Sequence, residues 1–259
     1  MPAYYNEHNE FAARWLRALI ADGHIPAGDV DQRDIQDVGA DDLVGYEQCH
    51  FFAGIGGWGL ALRAAGWPDD REVWTGSCPC QPFSPVGQRR GTADARHLWP
   101  QWRDLIAQRR PATVFGEQVA RGGGLEWLSG VRDDLEAQGY AVGSADLPAC
   151  SVAAPQKRER IWFVAVGDTE GERRGEGQRV EQGPPGGRPA TGLPAWTSAA
   201  VVGVDGKRRR AEPGVFALGH GIPNRVEQLR GYGNAIVPAV AALFVACHMR
   251  ANAKLKGRP

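Results

Sequence analysis

The stretch HFFAGIGGWGLALRAAG, residues 50–66, decides the fold class of this chain. Its apolar start, His50 to Ala53, predicts a strand that runs into a glycine turn at residues 54–57. Leucine and alanine then recur up to Gly66, which is typical of a helix that ends at a glycine. A strand, a glycine turn and a helix in this order are typical of nucleotide-binding α/β folds. A turn with a purely structural role fits the same pattern, since the standard dinucleotide spacing is absent.

Strand and helix patterns alternate along most of the chain. They predict an α/β fold with a mostly parallel sheet and ligands at the carboxyl ends of its strands. The regular pattern stops between Gly167 and about Pro194, where Gly, Pro, Arg and Glu predominate, which predicts a flexible loop. A small hairpin is predicted at residues 201–206. The other predicted strands lie at residues 4–5, 71–76, 112–117, 140–145 and 161–166, and the other predicted helices at residues 11–20, 98–106, 125–138, 225–229 and 238–249.

Composition favours one large domain, or one with a small second domain, in a reducing compartment. The 259 residues are 42% hydrophobic with a formal charge of zero, which excludes a global basic field. Residues 1–48 carry three arginines and ten acids, whereas residues 156–210 carry eleven Lys and Arg and seven acids, so a polyanion would prefer the second segment. The five cysteines follow no disulfide spacing, and we find no signal peptide and no run of membrane-span length. We therefore expect a cytoplasmic protein.

The stretch GSCPCQPFS, residues 76–84, places Cys80 on the turn after a predicted strand. An exposed thiol there can ionise to the nucleophilic thiolate. A buried structural cysteine, or a redox or metal fragment shared with Cys78, would give the same local pattern, although the spacing is not Cys-x-x-Cys. Glu117 ends another apolar strand, so we expect its carboxyl in the same crevice, able to exchange a proton with a ring nitrogen or an amine. A solvated strand-end acid is the alternative.

Two basic segments are candidate contacts for an anion. Residues 156–160, QKRER, precede a strand, so alternation predicts Gln156, Arg158 and Arg160 on one face. Two guanidiniums on one face suit a phosphate or a pyrimidine carbonyl. The block KRRR at residues 207–210 lies beside a turn and is a candidate phosphate contact. A solvated run of charges is the alternative for both segments.

Together these motifs resemble the DNA cytosine-C5 methyltransferase family. The glycine turn resembles its motif I, residues 79–81 (PCQ) its motif IV and residues 117–119 (EQV) its motif VI. Residues 155–161 resemble motif VIII, and Arg225 onward with residues 233–238 resembles motifs IX and X. The resemblance spans nearly the whole chain. It implies a Rossmann-like fold that depends on S-adenosylmethionine, double-stranded DNA as partner, a monomer, and no metal or membrane. Gln118 stands where the family usually has Asn, but the neighbouring carboxyl, that of Glu117, is retained.

The spacing before Cys80 departs from the family pattern. Only 23 residues separate Gly57 from Cys80, which is room for one helix and one strand. The family has two more strand units there, with acids for the ribose and the adenine of the cofactor. Residues 5–8 (YNEH) resemble motif II and residues 28–30 (GDV) resemble motif III. We predict that both units moved ahead of motif I, so that the chain enters the sheet at its second strand, passes through the third and crosses by residues 31–46 to the first. An unrelated N-terminal extension is the alternative.

The resemblance also implies a mechanism and a set of site residues. The Cys80 thiolate would attack C6 of a flipped-out cytosine while Glu117 holds N3 and the amino group, so that C5 accepts the methyl group. Arg158 and Arg160 would hold the base and shape the charge around Cys80. The implied cofactor contacts are Glu7, His8, Asp29, Val30, Phe52, Gly54, Ile55, Gly56, Gly57, Pro79, Leu98, Asn234, Ala235 and Ile236. The implied DNA contacts are Gln81, Ser84, Gln88, Arg89, Arg90, Gln156, Lys207, Arg208, Arg209, Arg210 and Arg225.

The resemblance further implies a division of the chain. Residues 1–166 plus 224–259 would form the catalytic domain, and residues 167–223 a small target-recognition region, flexible over 167–194. The loop from Gln81 to about His97 would close over the flipped base. So small a region predicts a short or degenerate target site, and the compact size favours a phage or prophage origin over a restriction system or a housekeeping role. Transfer of another group to C5, methylation of RNA cytosine, and a catalytically inactive DNA-binding relative are the alternatives.

Overall fold

A computed structural model describes residues 2–79, 98–120, 123–154, 156–167, 200–202, 208–210, 231 and 233–256. Seven described strands form one mixed sheet. They are β1 (Ala3–Asn6), β2 (Gly28–Asp31), β3 (Gln48–Phe51), β4 (Val73–Gly76), β5 (Thr113–Val119), β6 (Tyr140–Asp146) and β7 (Arg160–Gly167). Their order across the sheet is β2-β1-β3-β4-β5-β7-β6, which confirms the predicted α/β class.

Helices cover both faces of this sheet. The described helices are α1 (Glu10–Ala21), α2 (Gly57–Ala65), α3 (Trp99–Arg109), α4 (Gly124–Ala137) and α5 (Pro238–Lys256). Short 3-10 turns occupy Ile35–Asp37, Ala40–Leu43 and Ala149–Val152. Two further strands, β8 (Ala200–Val202) and β9 (Arg208–Arg210), pair antiparallel, as the predicted hairpin requires. The helix predicted at residues 225–229 and most of the loop predicted from Gly167 lie outside the described residues.

The N-terminal strand occupies an interior position in the sheet. β1 pairs parallel with β2 on one side and with β3 on the other, so that Ala3 lies opposite both Gly28 and Gln48. The chain therefore enters at β1, moves outward to β2 and crosses back to β3, as predicted. Two of the 3-10 turns lie in the crossing segment. The N-terminal residues thus supply two strands of the main sheet and are not a purely helical extension.

The parallel order changes at β5. β7 lies between β5 and β6 and is antiparallel to both. β4 pairs with β5 only as far as Gly116, whereas β7 pairs with β5 on to Val119. The prediction that this strand ends at Glu117 is therefore two residues short, because β7 supplies backbone partners beyond that point. On the β4 side, Glu117 still projects past the last paired residue, into the crevice at the carboxyl ends.

Large aromatic side chains fill the core on the two faces of the sheet. On one face Phe51, Trp74 and Trp102 pack between the sheet and α3. On the other face, Trp58 of α2 and Trp162 of β7 meet at 5.5 Å between ring centroids, in a cluster that also contains residues of α5. Each such side chain contributes about 1.5–3 kcal/mol on burial. The sheet is thus held rigidly from both sides, which fixes the positions of its strand ends.

A smaller cluster joins the N-terminal unit to the rest of the domain. Tyr5 of β1 and Leu16 of α1 are fully buried and pack with Ala53, which lies just after β3. The Asn9 side chain caps α1 by accepting a hydrogen bond from Ala12 N at 3.0 Å. Because the apolar stripe of α1 faces Ala53, the unit β1-α1-β2 packs as part of the sheet domain and brings its strand ends beside the glycine turn.

Candidate active site

The glycine turn follows β3 and uses the left-handed backbone region three times. φ is 51° at Phe52, 55° at Gly54 and 83° at Gly56, which precedes the first residue of α2. A Cβ placed on Gly54 would meet no atom within 4 Å, so the backbone there faces open space. By contrast, a Cβ on Gly57 would lie 2.6 Å from Cγ1 of Ile236. The turn therefore offers bare backbone to a ligand at Gly54 and packs against the C-terminal segment at Gly57.

Glu7 brings a carboxylate from the N-terminal unit to this turn. It follows β1, and its Oε2 accepts a hydrogen bond from Gly54 N at 2.7 Å. Its Oε1 accepts another from Asn9 N at 2.8 Å. The next residue, His8, places Nδ1 3.2 Å from the carbonyl oxygen of Gln32. The structure thus brings Glu7, one of the predicted cofactor residues, to the glycine turn, although it precedes Gly54 by 47 positions in the chain.

The carboxyl end of β2 carries an acid that sequence reasoning missed. Asp29 is exposed and accepts a hydrogen bond from the Tyr46 hydroxyl at 2.8 Å, but β2 ends two residues later, at Asp31. Asp31 accepts from the Tyr4 hydroxyl and pairs with Arg33, both at 2.7 Å. Burial opposes ionisation of Asp31, but these hydrogen bonds outweigh it and lower its pKa. The signal in the sequence that indicates Asp31 is its position as the last residue of the stretch GDVD, residues 28–31.

A cleft of about 410 Å³ lies beside β2. Its lining consists of polar and charged side chains from the N-terminal unit and the crossing segment, with Val30 as the one aliphatic member. Those lining residues are Tyr4, Arg17, Asp29, Val30, Asp31, Gln32, Arg33, Asp42 and Tyr46.

Glu117 and Arg160 form a buried ion pair in the crevice. Nε of Arg160 lies 2.6 Å from Oε1 of Glu117, and both side chains are largely withdrawn from solvent. Burial raises the pKa of Glu117, while the charges of Arg160 and Arg158 act in the opposite direction. Among the described residues, no hydrogen bond of good geometry satisfies Oε1. A carboxyl held in this way can donate or accept a proton at a polar ligand.

The loop that leads to Cys80 starts beside this pair. Ser77 follows β4, accepts a hydrogen bond from Trp58 Nε1 at 3.1 Å, and its own hydrogen bond lowers the pKa of Glu117. The carbonyl oxygen of Cys78 is 3.4 Å from Nε2 of the buried Gln118. The described chain therefore passes along Glu117 as far as Pro79, one residue before Cys80. Cys80 itself lies outside the described residues.

The basic segment before β7 differs from its prediction. β7 begins only at Arg160, so Gln156 and Arg158 lie in a loop, and strand alternation does not place the three side chains on one face. The backbone carbonyls of Lys157 and Arg158 are instead used by Ala149 N, at 2.8 and 3.2 Å. The Arg158 side chain donates to the carbonyl oxygens of residues 233 and 235 at 3.0 and 2.6 Å. Arg158 thus contacts the C-terminal segment, whereas Arg160 contacts Glu117.

The remaining predicted residues divide into those that the structure describes and those that it does not. Ile236 is buried against the glycine turn, Asn234 is exposed, and Ala235 N donates to Gly231 O at 3.0 Å. Leu98 precedes the first residue of α3. The predicted DNA contacts Arg208, Arg209 and Arg210 form β9. Outside the described residues lie Gln81, Ser84, Gln88, Arg89, Arg90, Lys207 and Arg225, and with them the loop predicted to close over the base.

Two kinds of feature are absent from the part of the chain that the structure describes. No group of three or more His, Cys, Asp or Glu side chains there is placed to hold a metal ion. No helix within the same ranges combines the length and the apolar character that a membrane crossing needs.

Comparison with known proteins gives a family match over part of the chain. The family model described as C-5 cytosine-specific DNA methylase matches residues 67–184. The type II methyltransferase M.AplI of Arthrospira platensis is 36% identical over 97 residues, which are 36% of this chain and 28% of that protein. M.HhaI of Haemophilus parahaemolyticus is 26% identical over 164 residues, 47% of this chain and 49% of that protein. DNMT2 of Spodoptera frugiperda aligns with 67% of this chain and 45% of its own, at 17% identity and a TM-score of 0.43.

The matches cover only part of each protein. The chain spans between about a quarter and a half of the length of the curated relatives named above. The family match begins at Trp67, just after α2, and so includes Cys80, Glu117, Arg158 and Arg160 but not the glycine turn.

Proposed function

We propose that the chain is a member of the C-5 cytosine-specific DNA methylase family, whose model matches residues 67–184, and that it transfers the methyl group of S-adenosylmethionine to C5 of cytosine in DNA. The observation that carries this proposal is the buried pair of Glu117 and Arg160, with the loop that leads to Cys80 beside it. All three residues fall inside the family match.

The residues around the glycine turn fit the proposed cofactor. The backbone at Gly54 faces open space, and the carboxylate of Glu7 lies within hydrogen-bonding distance of it. An acid at this place can accept hydrogen bonds from ribose hydroxyls, as in other α/β nucleotide sites. Val30, at the sheet edge, and Ile236, behind the turn, would add apolar contacts. When bound, S-adenosylmethionine supplies a methyl group on a positively charged sulfur, which makes that carbon electrophilic.

Cytosine C5 becomes nucleophilic only after activation. In the proposed mechanism the Cys80 thiolate would form a bond to C6, and the electrons of the C5–C6 double bond would then form the bond to the methyl carbon as the methyl–sulfur bond breaks and its electron pair leaves with the neutral thioether. Glu117, with its pKa raised by burial, holds a proton toward ring N3 and accepts from the amino group. Arg160 keeps this carboxyl in place. Removal of the C5 proton by a base returns its electron pair to the ring and expels the Cys80 thiolate.

The rest of the assignment extends the same proposal. A base stacked in a duplex cannot reach a buried carboxyl, so the target cytosine is flipped out of the helix. Residues 1–166 and 224–259 would form the catalytic domain, and residues 167–223 would read the target. The excess of basic residues in 156–210 favours DNA on that side. We place the monomeric enzyme in the cytoplasm of a bacterial cell or of a phage-infected host, where its substrate is found.

Methylation with labelled S-adenosylmethionine tests the function. Wild-type protein should label cytosine C5 in duplex DNA, and sequencing of the modified positions should reveal a short or degenerate target. Cys80→Ala should lower turnover at least about 10³-fold, because the covalent step is lost. The matched control is Cys150→Ala, which removes an exposed thiol from a 3-10 turn and should keep wild-type turnover.

Trapping on DNA that contains 5-fluorocytosine supplies the second readout. Wild type and Cys150→Ala should form a stable protein–DNA adduct, and Cys80→Ala should form none. An active Cys80→Ala variant would contradict the mechanism. Labelling of RNA but not of DNA would contradict the assignment, and so would a product whose mass increase differs from that of one methyl group. A strict six-base-pair target would contradict the predicted short or degenerate site.

A further inference from the structure

The guanidinium of Arg158 joins two parts of the chain that lie far apart in sequence. Its Nη2 donates to the carbonyl oxygen of Gly233 at 3.0 Å and to that of Ala235 at 2.6 Å. Arg158 itself has a φ of 34°, a conformation that L residues rarely adopt and that surrounding contacts must hold. The bond to Ala235 is partly buried and is therefore partly shielded from competing water, whereas the bond to Gly233 is exposed.

The segment that Arg158 holds also contacts the glycine turn. Ile236 is buried directly behind Gly57, whose hypothetical Cβ would lie 2.6 Å from Ile236 Cγ1. At the start of the segment, a Cβ on Gly231 would come within 3.5 Å of both Ile55, in the turn, and Phe11, on α1. Residue 231 and residues 233–237 therefore lie between the glycine turn and Arg158, and a shift of this segment would move one side of the proposed cofactor site.

Arg158 is equally close to the proposed base site. It stands two residues before Arg160, whose guanidinium pairs with Glu117 at 2.6 Å. The positive charges of Arg160 and Arg158 both act on the Glu117 carboxyl. The backbone of residues 157 and 158 is bound to Ala149 N, so the whole approach to β7 is fixed.

We propose that Arg158 is a positioning residue that couples the cofactor side of the site to its base side, because its side chain holds residues 233–236 against the glycine turn while its backbone leads into Arg160. The coupling rests on the proposed function, since it presumes a cofactor at the glycine turn and a cytosine at Glu117. In this role the geometry of the two carbonyl bonds matters, and the charge alone does not suffice.

Lysine at this position separates geometry from charge. It keeps the positive charge, but its side chain is one bond shorter and ends in a flexible point charge, so its ammonium does not take the place of Nη2, the single nitrogen that donates to both carbonyls. A role by charge alone would be rescued by Arg158→Lys. A positioning role would be lost in Arg158→Lys as well as in Arg158→Ala. The matched control is Lys157→Ala, which removes an exposed neighbouring cation that pairs with Glu159 at 2.6 Å.

The experiment measures the coupling directly, as the affinity for cytosine-containing duplex DNA with and without saturating S-adenosylhomocysteine. Wild type and Lys157→Ala should bind DNA about 5-fold or more tightly when S-adenosylhomocysteine is present than when it is absent. In Arg158→Lys the ratio of these two affinities should fall to about 1–2. By reciprocity, DNA should tighten S-adenosylhomocysteine binding by the same factor in each protein. Thermal melting of each protein identifies any variant that fails to fold. If Arg158→Ala fails to fold, the result for Arg158→Lys decides the outcome.

Each result supports or overturns the inference. A wild-type ratio in Arg158→Lys would overturn it in favour of a charge effect. Equal loss of affinity with and without S-adenosylhomocysteine would leave the ratio unchanged and would overturn it in favour of a general structural role. If wild type methylates DNA but Arg158→Lys keeps the coupling, only the inference fails. If wild type binds no S-adenosylhomocysteine at all, the proposed function fails and the inference fails with it.

Discussion

Two fully buried titratable side chains differ in what surrounds them. Glu117 faces Arg160 at 2.6 Å, with Ser77 beside it, at the open edge of the sheet. His50 lies inside β3, where its Nδ1 is 2.8 Å from the Thr75 hydroxyl and its ring stacks on Tyr5 at 4.8 Å. Burial lowers the pKa of His50 to about 3, so it stays neutral. The charged partner and the crevice support the role proposed for Glu117, whereas the described surroundings of His50, a hydroxyl and an aromatic ring, indicate a packing role.

His50 should make the fold sensitive to mild acid. Its pKa is about 3 when folded and about 6.5 when unfolded, so between these values the unfolded chain binds a proton that the folded chain does not. Stability therefore falls as the pH is lowered from 6.5 toward 3, by up to about 1.4 kcal/mol per unit. From pH 7.5 to pH 5 we expect urea unfolding to show a loss of about 2 kcal/mol that is missing in His50→Gln. The exposed His24→Gln should keep the wild-type slope, and equal slopes in wild type and His50→Gln would contradict the assignment.

At the scale of elements, the unit β1-α1-β2 packs against the glycine turn and is also hydrogen-bonded to it by one carboxylate. Glu7 accepts hydrogen bonds from Gly54 N and from Asn9 N, so it fixes the end of β1 to the turn and the start of α1 to β1. Hydrogen bonds to a carboxylate are about twice as strong as those between neutral groups. This link explains how a unit placed ahead of the turn in the chain still completes the site.

Replacing Glu7 should weaken both the link and the proposed cofactor site. In Glu7→Ala we expect a loss of about 1–3 kcal/mol in unfolding free energy, because the Gly54 and Asn9 N–H groups lose a charged acceptor. Calorimetry should show S-adenosylhomocysteine bound at least about 10-fold more weakly, equivalent to 1.4 kcal/mol. Glu10→Ala, which removes an exposed acid paired with Arg14 in the same unit, is the control and should leave affinity unchanged. Unchanged affinity in Glu7→Ala would remove Glu7 from the site.

Motif patterns predicted these elements better than they predicted loop geometry. The strand at Tyr4-Tyr5 and its place in the sheet followed from the short interval between Gly57 and Cys80, because the missing strands had to lie elsewhere. The course of residues 156–159 did not follow, since their backbone bonds to Ala149, which no local pattern reveals. The position of Asp31 at the end of β2 was missed for a related reason, because only the register against Asn6 shows where β2 ends.

For the whole molecule, order along the chain and order across the sheet are separate properties. β1 is enclosed by β2 and β3, and its carbonyl and amide groups are paired on both sides. Acidic side chains of this unit, such as Asp29, lie at the β2 edge, while the Glu117 pair lies several strands away near the basic segment. The sheet therefore separates an acidic edge, which repels a polyanion, from the side where DNA is proposed to bind.

Removal of the N-terminal unit should destroy the domain, because β3 would become an edge strand and the contacts of Tyr5 and Leu16 would be lost. We expect a protein that starts at residue 47 to lack a cooperative melting transition and to bind no S-adenosylhomocysteine. As the control, four Gly/Ser residues inserted beside the exposed Gly45, in the same crossing segment, should cost about 1 kcal/mol or less. A truncated protein that melts like wild type would show that the sheet is complete without this unit.

The interior position of β1 has a consequence for how the protein is made. On the ribosome, β1 and β2 are synthesised well before Gln48–Phe51, the partner that closes the other side of β1. At about 5–20 residues per second, the edge of β1 that faces β3 stays uncovered for roughly 2–8 s. During that interval its backbone can pair with a neighbouring nascent chain. Slow translation of residues 32–47 should therefore lower the yield of folded protein, whereas slow translation after β3 should not.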